Sequence, residues 1–272
     1  MTRGAARLGI LASLLAIPLA AQGAPPAPPP IQDNSFLLEE AYNQERGVVQ
    51  HISVFSRTTR SHDWAYGFTQ EWPFRGQRHQ LSYQVSVLRQ AGATGFGDLR
   101  LNYRLQLVGG EGRKIWIAPR LTASLPTGRW REDLGSGNPG FELGIPVSIE
   151  LGSRLAVHLN GAVNLFPSAR SPSGARATLV GWSAGASAIL LLAPTVNLML
   201  ESQVLGSEAV LAAGTTSRTT DVLLSPGIRW AHNFSSGLQI VPGVAYSFGL
   251  GDAELSGLLV YLSFEHPFKK TD

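Results

Sequence analysis

The chain has 272 residues, of which 15% are charged and 30 are glycine, with no cysteine and a formal net charge of +3. A soluble globular domain usually has about 25% charged residues and about 7% glycine, so this composition is poor in charge and rich in glycine. The lack of cysteine excludes a disulfide scaffold, a thiol nucleophile and a cysteine-ligated metal. Because the loss of Arg3 and Arg7 with a leader would lower the charge from +3 to +1, nothing here indicates nucleic acid as a partner.

The first 23 residues have the pattern of a secretory signal peptide. A short basic stretch precedes an apolar stretch over residues 8–21, and small residues lead to a predicted cleavage after Gly23. The apolar stretch is shorter than the about 20 residues that a membrane-spanning helix needs, although an N-terminal membrane anchor is the alternative interpretation. Residues 24–46 are then expected to form a proline-rich spacer and an N-terminal periplasmic segment.

From residue 47 onward, apolar and polar residues alternate. Leu101, Tyr103 and Leu105 alternate with Arg100 and Arg104, so a strand would carry one apolar face and one charged face. Segments of this kind span residues 47–58, 62–73, 78–89, 95–108, 113–126, 139–152, 154–166, 176–192, 195–206, 218–232, 236–249 and 254–268. They are longer than typical globular strands of about 5–6 residues, and they match the about 9–11 residues of a tilted membrane-spanning strand.

The connections between these segments alternate in length. If the first strand leaves the periplasm, the periplasmic connections are all short, whereas the opposite set includes residues 127–138, 167–175 and 207–217. Short periplasmic turns, long external loops and aromatic residues near strand ends are typical of outer-membrane barrels. The sequence therefore predicts an all-β, 12-stranded antiparallel transmembrane β-barrel over residues 47–268, in the outer membrane of a Gram-negative bacterium. A C-terminal tail over residues 269–272 follows it.

One stretch has two interpretations. Residues 178–200 carry no charge and are long enough for a membrane helix. Pro194 and Thr195 divide the stretch, and Gly181 and Ser183 alternate with larger residues, so a hairpin with a tight periplasmic turn is preferred. A soluble sandwich of two sheets is a further alternative to the barrel as a whole.

Several local strings resemble a known family. They are residues 34–57 (NSFLLEEAYNQERGVVQHISVFSR), 68–85 (FTQEWPFRGQRHQLSYQV), 95–107 (GFGDLRLNYRLQL), 118–128 (APRLTASLPTG), 224–249 and 258–268 (LLVYLSFEHPF). These strings resemble a bacterial outer-membrane transporter family that is associated with the meta-cleavage pathway of phenol degradation. The resemblance implies a single-chain barrel and the uptake of small aromatic compounds. It carries over no catalytic or binding residues.

The sequence lacks motifs for catalysis or cofactor binding. It contains no nucleophile elbow, phosphate loop or histidine cluster with ligand spacing, so we expect no cofactor, no metal and no catalytic residue. Residues 95–98 (GFGD) are rich in glycine but precede a strand, which favours a bend at the strand start over a phosphate site. For a barrel enzyme that acts on lipid, His158 on the lumen-facing parity and His266 on the lipid-facing parity are the nearest candidates.

Charged residues of the predicted strands fall mostly on the lumen-facing parity. The lumen-lining candidates are Glu71, Arg100, Arg104, Arg120, Glu142, Glu150, Glu201, Arg229 and Glu265. Arg120 lies on the strand next to that of Glu142 and Glu150. Glu201 lies on the strand next to that of Arg229, and opposite charges on adjacent strands favour pairing. The set is predicted to be a structural ladder in a narrow barrel, a polar constriction that selects solutes, or both.

The N-terminal segment over residues 31–46 is a candidate plug. Phe36 is too apolar for a free tail, while Glu39 and Glu40 are too acidic for a lipid-facing strand, and the spacing permits a short helix. Because the segment starts in the periplasm, we expect it to enter the periplasmic mouth, with Glu39 or Glu40 near Arg104 or Arg229, and to narrow the pore. The alternative is a linker that packs outside the barrel rim.

These observations predict a passive outer-membrane channel without covalent chemistry. Twelve strands lie between the about 8 of a barrel filled by side chains and the about 16–18 of an open aqueous channel, so the solutes should be small. The expected partners are outer-membrane lipid, the barrel-assembly machinery and a small-molecule solute, which the resemblance suggests to be hydrophobic or aromatic. The alternatives are a membrane-embedded enzyme that acts on lipid, and a structural or adhesive barrel without transport.

Overall fold

The computed structural model describes Ile31 and residues 35–110, 112–251 and 255–268. The predicted signal peptide, the proline-rich part of the spacer and the predicted C-terminal tail lie outside the described residues. Within the part of the chain that is described, no helix is both long enough and apolar enough to cross a membrane.

The described strands form one antiparallel sheet that closes on itself. In chain order the strands are β1 (Val48–Thr58), β2 (Trp64–Pro73), β3 (His79–Gln90), β4 (Ala93–Phe96), β5 (Leu99–Leu105), β6 (Ile115–Ile117), β7 (Arg120–Leu125), β8 (Gly140–Leu151), β9 (Leu155–Arg170), β10 (Arg176–Ala193), β11 (Val196–Ala212), β12 (Thr215–Trp230), β13 (His232–Asn233), β14 (Gln239–Gly249) and β15 (Gly257–Pro267). The first and last strands pair from Val48 with Pro267 to Thr58 with Gly257, which closes the barrel.

Short breaks divide three of the membrane-spanning strands. β4 continues into β5, β6 into β7 and β12 into β13, so the described wall contains twelve spanning strands. This confirms the prediction of a 12-stranded antiparallel barrel. The alternative helix over residues 178–200 is wrong, because β10 and β11 pair as a hairpin across that stretch, from Trp182 with Gly206 to Ala193 with Val196.

Alternation places apolar side chains outside the barrel and polar side chains inside it. Leu101 and Tyr103 are exposed on the outer surface, whereas Asn102 and Arg104 between them are buried. Further exposed apolar residues on the outer surface are Leu121, Leu143, Val163, Trp182, Leu200, Val244 and Leu258. A closed barrel satisfies its own backbone hydrogen bonds, so an apolar outer band around a polar interior is stable only in a lipid bilayer. This architecture is that of an outer-membrane protein.

Two of the predicted external loops are shorter than expected, and one of them is almost entirely strand. β9 continues to Arg170, and β11 and β12 extend to a two-residue turn at 213–214, so the loops predicted over residues 167–175 and 207–217 are wrong in extent. The ladder between β11 and β12 runs on from Ser207 with Thr219 to Val210 with Thr216. The sequence hid this extension because strands beyond the membrane need no apolar face, and threonine favours extended backbone there.

The predicted external loop over residues 127–138 is present and is anchored by an aspartate. It contains the 3₁₀ helix η1 (Trp130–Glu132). One oxygen of Asp98 accepts a hydrogen bond from the backbone N–H of Gly128 at 2.9 Å, and the other accepts one from that of Ser136 at 2.8 Å. Residues 95–98 therefore do more than bend the chain at a strand start, because their last residue holds the loop.

Candidate channel constriction

Residues 35–46, the inner segment, lie inside the barrel. The segment begins beside β15, where the ring of Phe36 packs on Tyr261 with centroids 5.5 Å apart. It ends beside β1, where Gln44 Nε2 donates to Gln50 Oε1 at 2.5 Å. Between these points it contacts β11, β9, β8, β5 and β3 in turn, so it follows the inner surface of the periplasmic half of the barrel.

The first half of the inner segment is bound through its backbone by acidic and amide side chains. The Glu201 carboxylate on β11 accepts hydrogen bonds from the N–H groups of Phe36 and Leu37, each at 3.1 Å. The amide of Asn160 on β9 contacts both backbone groups of Glu39, accepting from its N–H at 2.8 Å and donating to its carbonyl at 2.7 Å. The barrel side chains thus take the place of a neighbouring strand.

The second half is bound in the same way. Ser148 Oγ on β8 accepts a hydrogen bond from the N–H of Ala41 at 2.8 Å. The Gln106 amide accepts from the N–H of Asn43 at 3.0 Å and donates to the carbonyl of Ala41 at 2.8 Å. Barrel side chains thus bind N–H groups along the whole segment, which is extended and bent, so the short helix predicted here is wrong.

Two buried arginines hold the middle of the inner segment. Arg229 Nη2 lies 3.1 Å from Glu40 Oε1, and the two side chains are 1% and 3% exposed. Arg104 donates through Nε to Asn43 Oδ1 at 2.8 Å and through its two terminal nitrogens to the carbonyls of Glu40 and Tyr42, at 3.1 and 2.6 Å. Each guanidinium therefore compensates its burial with acceptors of the inner segment, Arg104 with three and Arg229 with the Glu40 carboxylate.

A second charged cluster faces the open side of the inner segment. Glu142 bridges two arginines, with Arg100 Nη2 at 2.8 Å from one oxygen and Arg120 Nη2 at 2.5 Å from the other. Arg120 also forms an ion pair with Glu39 of the inner segment. These side chains are only partly buried, so water screens their interactions more than those of Glu40.

The other predicted lumen-lining residues also lie on inward positions, but with different partners. Glu71 Oε2 accepts a hydrogen bond from Gln80 Nε2 at 2.6 Å. Glu150 lies 3.5 Å from the hydroxyl of Tyr42 rather than beside Arg120. Glu265 is in register with two inward glutamines, one on β1 and one on β14. Glu201 and Arg229, on adjacent strands as expected, both bind the inner segment, and their register partners are Ser225 and Asn197.

The inner segment separates cavities on its two sides. On the external side, Leu37 lines two adjoining cavities of about 540 Å³ and about 430 Å³, which we call the vestibule. One side of the vestibule is apolar, with Leu88 and Leu259, and the other carries Arg100 and Arg120. On the periplasmic side lies a cavity of about 300 Å³ lined in part by Glu40, Tyr42 and His158.

The two histidines considered for a lipid enzyme have structural partners. His158 Nδ1 lies 2.7 Å from Ser148 Oγ, and its Nε2 lies 3.7 Å from Glu40 Oε1. Although this order resembles a nucleophile, base and acid, Ser148 is fully buried and its hydroxyl already binds the backbone of the inner segment. His266 lies on the outer surface, with its Nε2 3.3 Å from that of His51.

Uncharged side chains carry much of the binding, and the sequence did not predict them. Gln80, Gln106, Ser148 and Asn160 were not among the predicted site residues, yet each bonds the inner segment directly. Their only signal was that they are amides or a hydroxyl on the lumen-facing parity near the periplasmic end. Because these residues are uncharged, charge does not distinguish them from the other polar side chains that face the lumen.

Comparison with known proteins supports the fold. No family model matches the sequence, and no curated protein matches it. An outer membrane channel from Pseudomonas putida F1 is similar in structure, with a TM-score of 0.63 and 14% identity over 83% of this chain and 97% of that chain. The NanC porin is also similar, with a TM-score of 0.52 and 7% identity over 79% of this chain and 98% of that chain. The chain therefore has the fold of an outer-membrane β-barrel, while the phenol-degradation association stays a prediction.

Proposed function

We propose that this chain is a passive outer-membrane channel for small solutes, and that the inner segment sets its conductance. The observation that carries the proposal is the position of the inner segment between the vestibule and the periplasmic cavity. It is held there by side-chain hydrogen bonds, ion pairs and the packing of Phe36 rather than by strand pairing, so it can be displaced without breaking the barrel. The two similar structures, a channel and a porin by name, support the same role.

The lining of the vestibule suggests the kind of solute. Val54, Leu88 and Leu259 give one side an apolar surface, while Arg100 and Glu142 give the other side a polar one. A small solute with an apolar body and a polar group would contact both sides. Small aromatic compounds, which the resemblance of the sequence implies, have this character, and they are the solutes that we propose.

Liposome swelling with solutes of graded size tests the proposal. Liposomes that contain the full chain should swell in small neutral solutes and in small aromatic ones, with rates that fall steeply as solute size increases. Liposomes that contain the heat-denatured chain provide the control for leakage. If the full chain and a variant that lacks residues 31–44 both leave swelling at the control rate, the chain is not a channel.

A further inference from the structure

Three residues form a row on the outer surface at the external end of β1, β2 and β3. Arg57 is in register with Trp64, and Trp64 is in register with Arg89, so the three side chains lie side by side across adjacent strands. They share the lipid-facing parity of Phe55 and Tyr66, which form the next register pair toward the membrane centre. We call Arg57, Trp64 and Arg89 the outer arginine row.

The two arginines of this row have no ion-pair partner among the described residues. Both are exposed, and within the described ranges neither makes an ion pair or a side-chain hydrogen bond. Another charged pair on the outer surface, Glu208 with Arg218 on β11 and β12, neutralises itself. The nearby acid Asp63 accepts a hydrogen bond from the backbone N–H of Ala91 at 3.2 Å. Among the described residues, the outer arginine row thus carries two positive charges beside one acid, Asp63, at the membrane interface.

The chemistry of the row fits an anionic lipid headgroup. A guanidinium binds phosphate through two parallel hydrogen bonds and can extend its apolar stem along the barrel. Tryptophan prefers the boundary between acyl chains and headgroups. The two arginines are two strand spacings apart, about 10 Å, which is comparable to the length of a disaccharide.

We propose that the outer arginine row binds a phosphorylated glycolipid of the outer leaflet, with one phosphate group at each of Arg57 and Arg89. Lipid A, a disaccharide with a phosphate at each end, is the outer-leaflet lipid with this chemistry. Trp64 packs between the two phosphate contacts, against the sugar or the upper acyl chains. The three side chains have the outward parity of Phe55 and Tyr66, and the row lies at the external rim, where the same residues also border the vestibule.

Native mass spectrometry of the full chain in detergent micelles tests this site. The chain is titrated with lipid A, with dephosphorylated lipid A and with inorganic phosphate. Because a basic residue near an anionic lipid surface contributes about 1 kcal/mol, Arg57→Gln and Arg89→Gln should each weaken lipid A binding about fivefold, and together about 25-fold. Arg113→Gln, in a periplasmic turn, makes the same change of charge and should leave lipid A binding unchanged.

Three results would overturn the proposal. They are equal binding of lipid A and its dephosphorylated form, unchanged lipid A binding by the double variant, and binding of inorganic phosphate as tight as that of lipid A. The last result would indicate a site for free anions rather than for lipid. Heat-modifiable mobility in gels confirms that each variant is folded, and the two single variants test the row even if the double variant fails to fold.

Discussion

Replacement of Glu40 should displace the inner segment. Its carboxylate lies 3.1 Å from Arg229 Nη2, and both side chains are almost completely buried. Glu40→Gln removes the negative charge of this pair, and breaking one partner of a buried ion pair costs about 3–5 kcal/mol. Even about 3 kcal/mol changes the ratio of bound to displaced segment by more than about 100-fold.

Glu39→Gln is the matched control for this variant. Glu39 is the neighbouring residue of the same type, but its side chain is 28% exposed and its ion pair with Arg120 is partly screened by water. Its loss should cost at most about 1 kcal/mol, or about fivefold in the same ratio. The double variant Glu40→Gln with Arg229→Gln removes both buried charges and should therefore be milder than Glu40→Gln alone.

Single-channel recording in planar bilayers is the assay for these variants. We expect the open-state frequency to increase strongly for Glu40→Gln, to change little for Glu39→Gln and to recover partly in the double variant. If Glu40→Gln and Glu39→Gln both have the open-state frequency of the unmodified chain, the buried ion pair does not hold the inner segment.

Further predictions concern packing, facing and the external loop. Gly243→Ala should raise the open-state frequency, because a Cβ at this position would lie only 2.6 Å from the ring of Phe36 in the inner segment. Gly144→Ala is the control, since the nearest atom to its Cβ would be 3.8 Å away, and it should leave the frequency unchanged. Equal open-state frequencies for the two variants would contradict this prediction. Leu101→Cys should react with a lipid-soluble thiol reagent and Arg104→Cys should not, because an arginine on the lipid-facing surface costs about 2–4 kcal/mol. Labelling of position 104 from the lipid side would show that the inward orientation assigned to this residue is wrong. Asp98→Ala should speed proteolysis within residues 126–139, because it removes three hydrogen bonds to that loop, and an unchanged digestion rate would refute its anchoring role.

The barrel itself could be predicted because membrane-spanning strands have a strict period. Leu101 must face lipid and Arg100 must face the interior, so every pair of consecutive strand residues shows the same alternation of apolar and polar side chains. Where the lipid ends, the period ends as well. The outer parts of β11 and β12, with Ser207 and Thr219, are strands without an apolar face, and the sequence therefore suggested a loop.

The structure of the inner segment could be anticipated only in part. Its mixture of Phe36 and Glu40 suggested a place inside the barrel, but its conformation depends on residues more than 100 positions away, such as Ser148 and Asn160. Those side chains satisfy the backbone of the segment and so remove the need for a helix. Single-sequence patterns describe local periodicity, and contacts of this range leave no periodic trace.

Deletion of the inner segment shows whether this segment restricts passage through the barrel. The conductance of the full chain in a planar bilayer is compared with that of a variant that lacks residues 31–44, after gel mobility shows that the variant is folded. We expect a clearly higher single-channel conductance for the variant, since the contacts that fill the periplasmic half of the lumen are removed. A folded variant that conducts no better than the full chain would contradict this expectation.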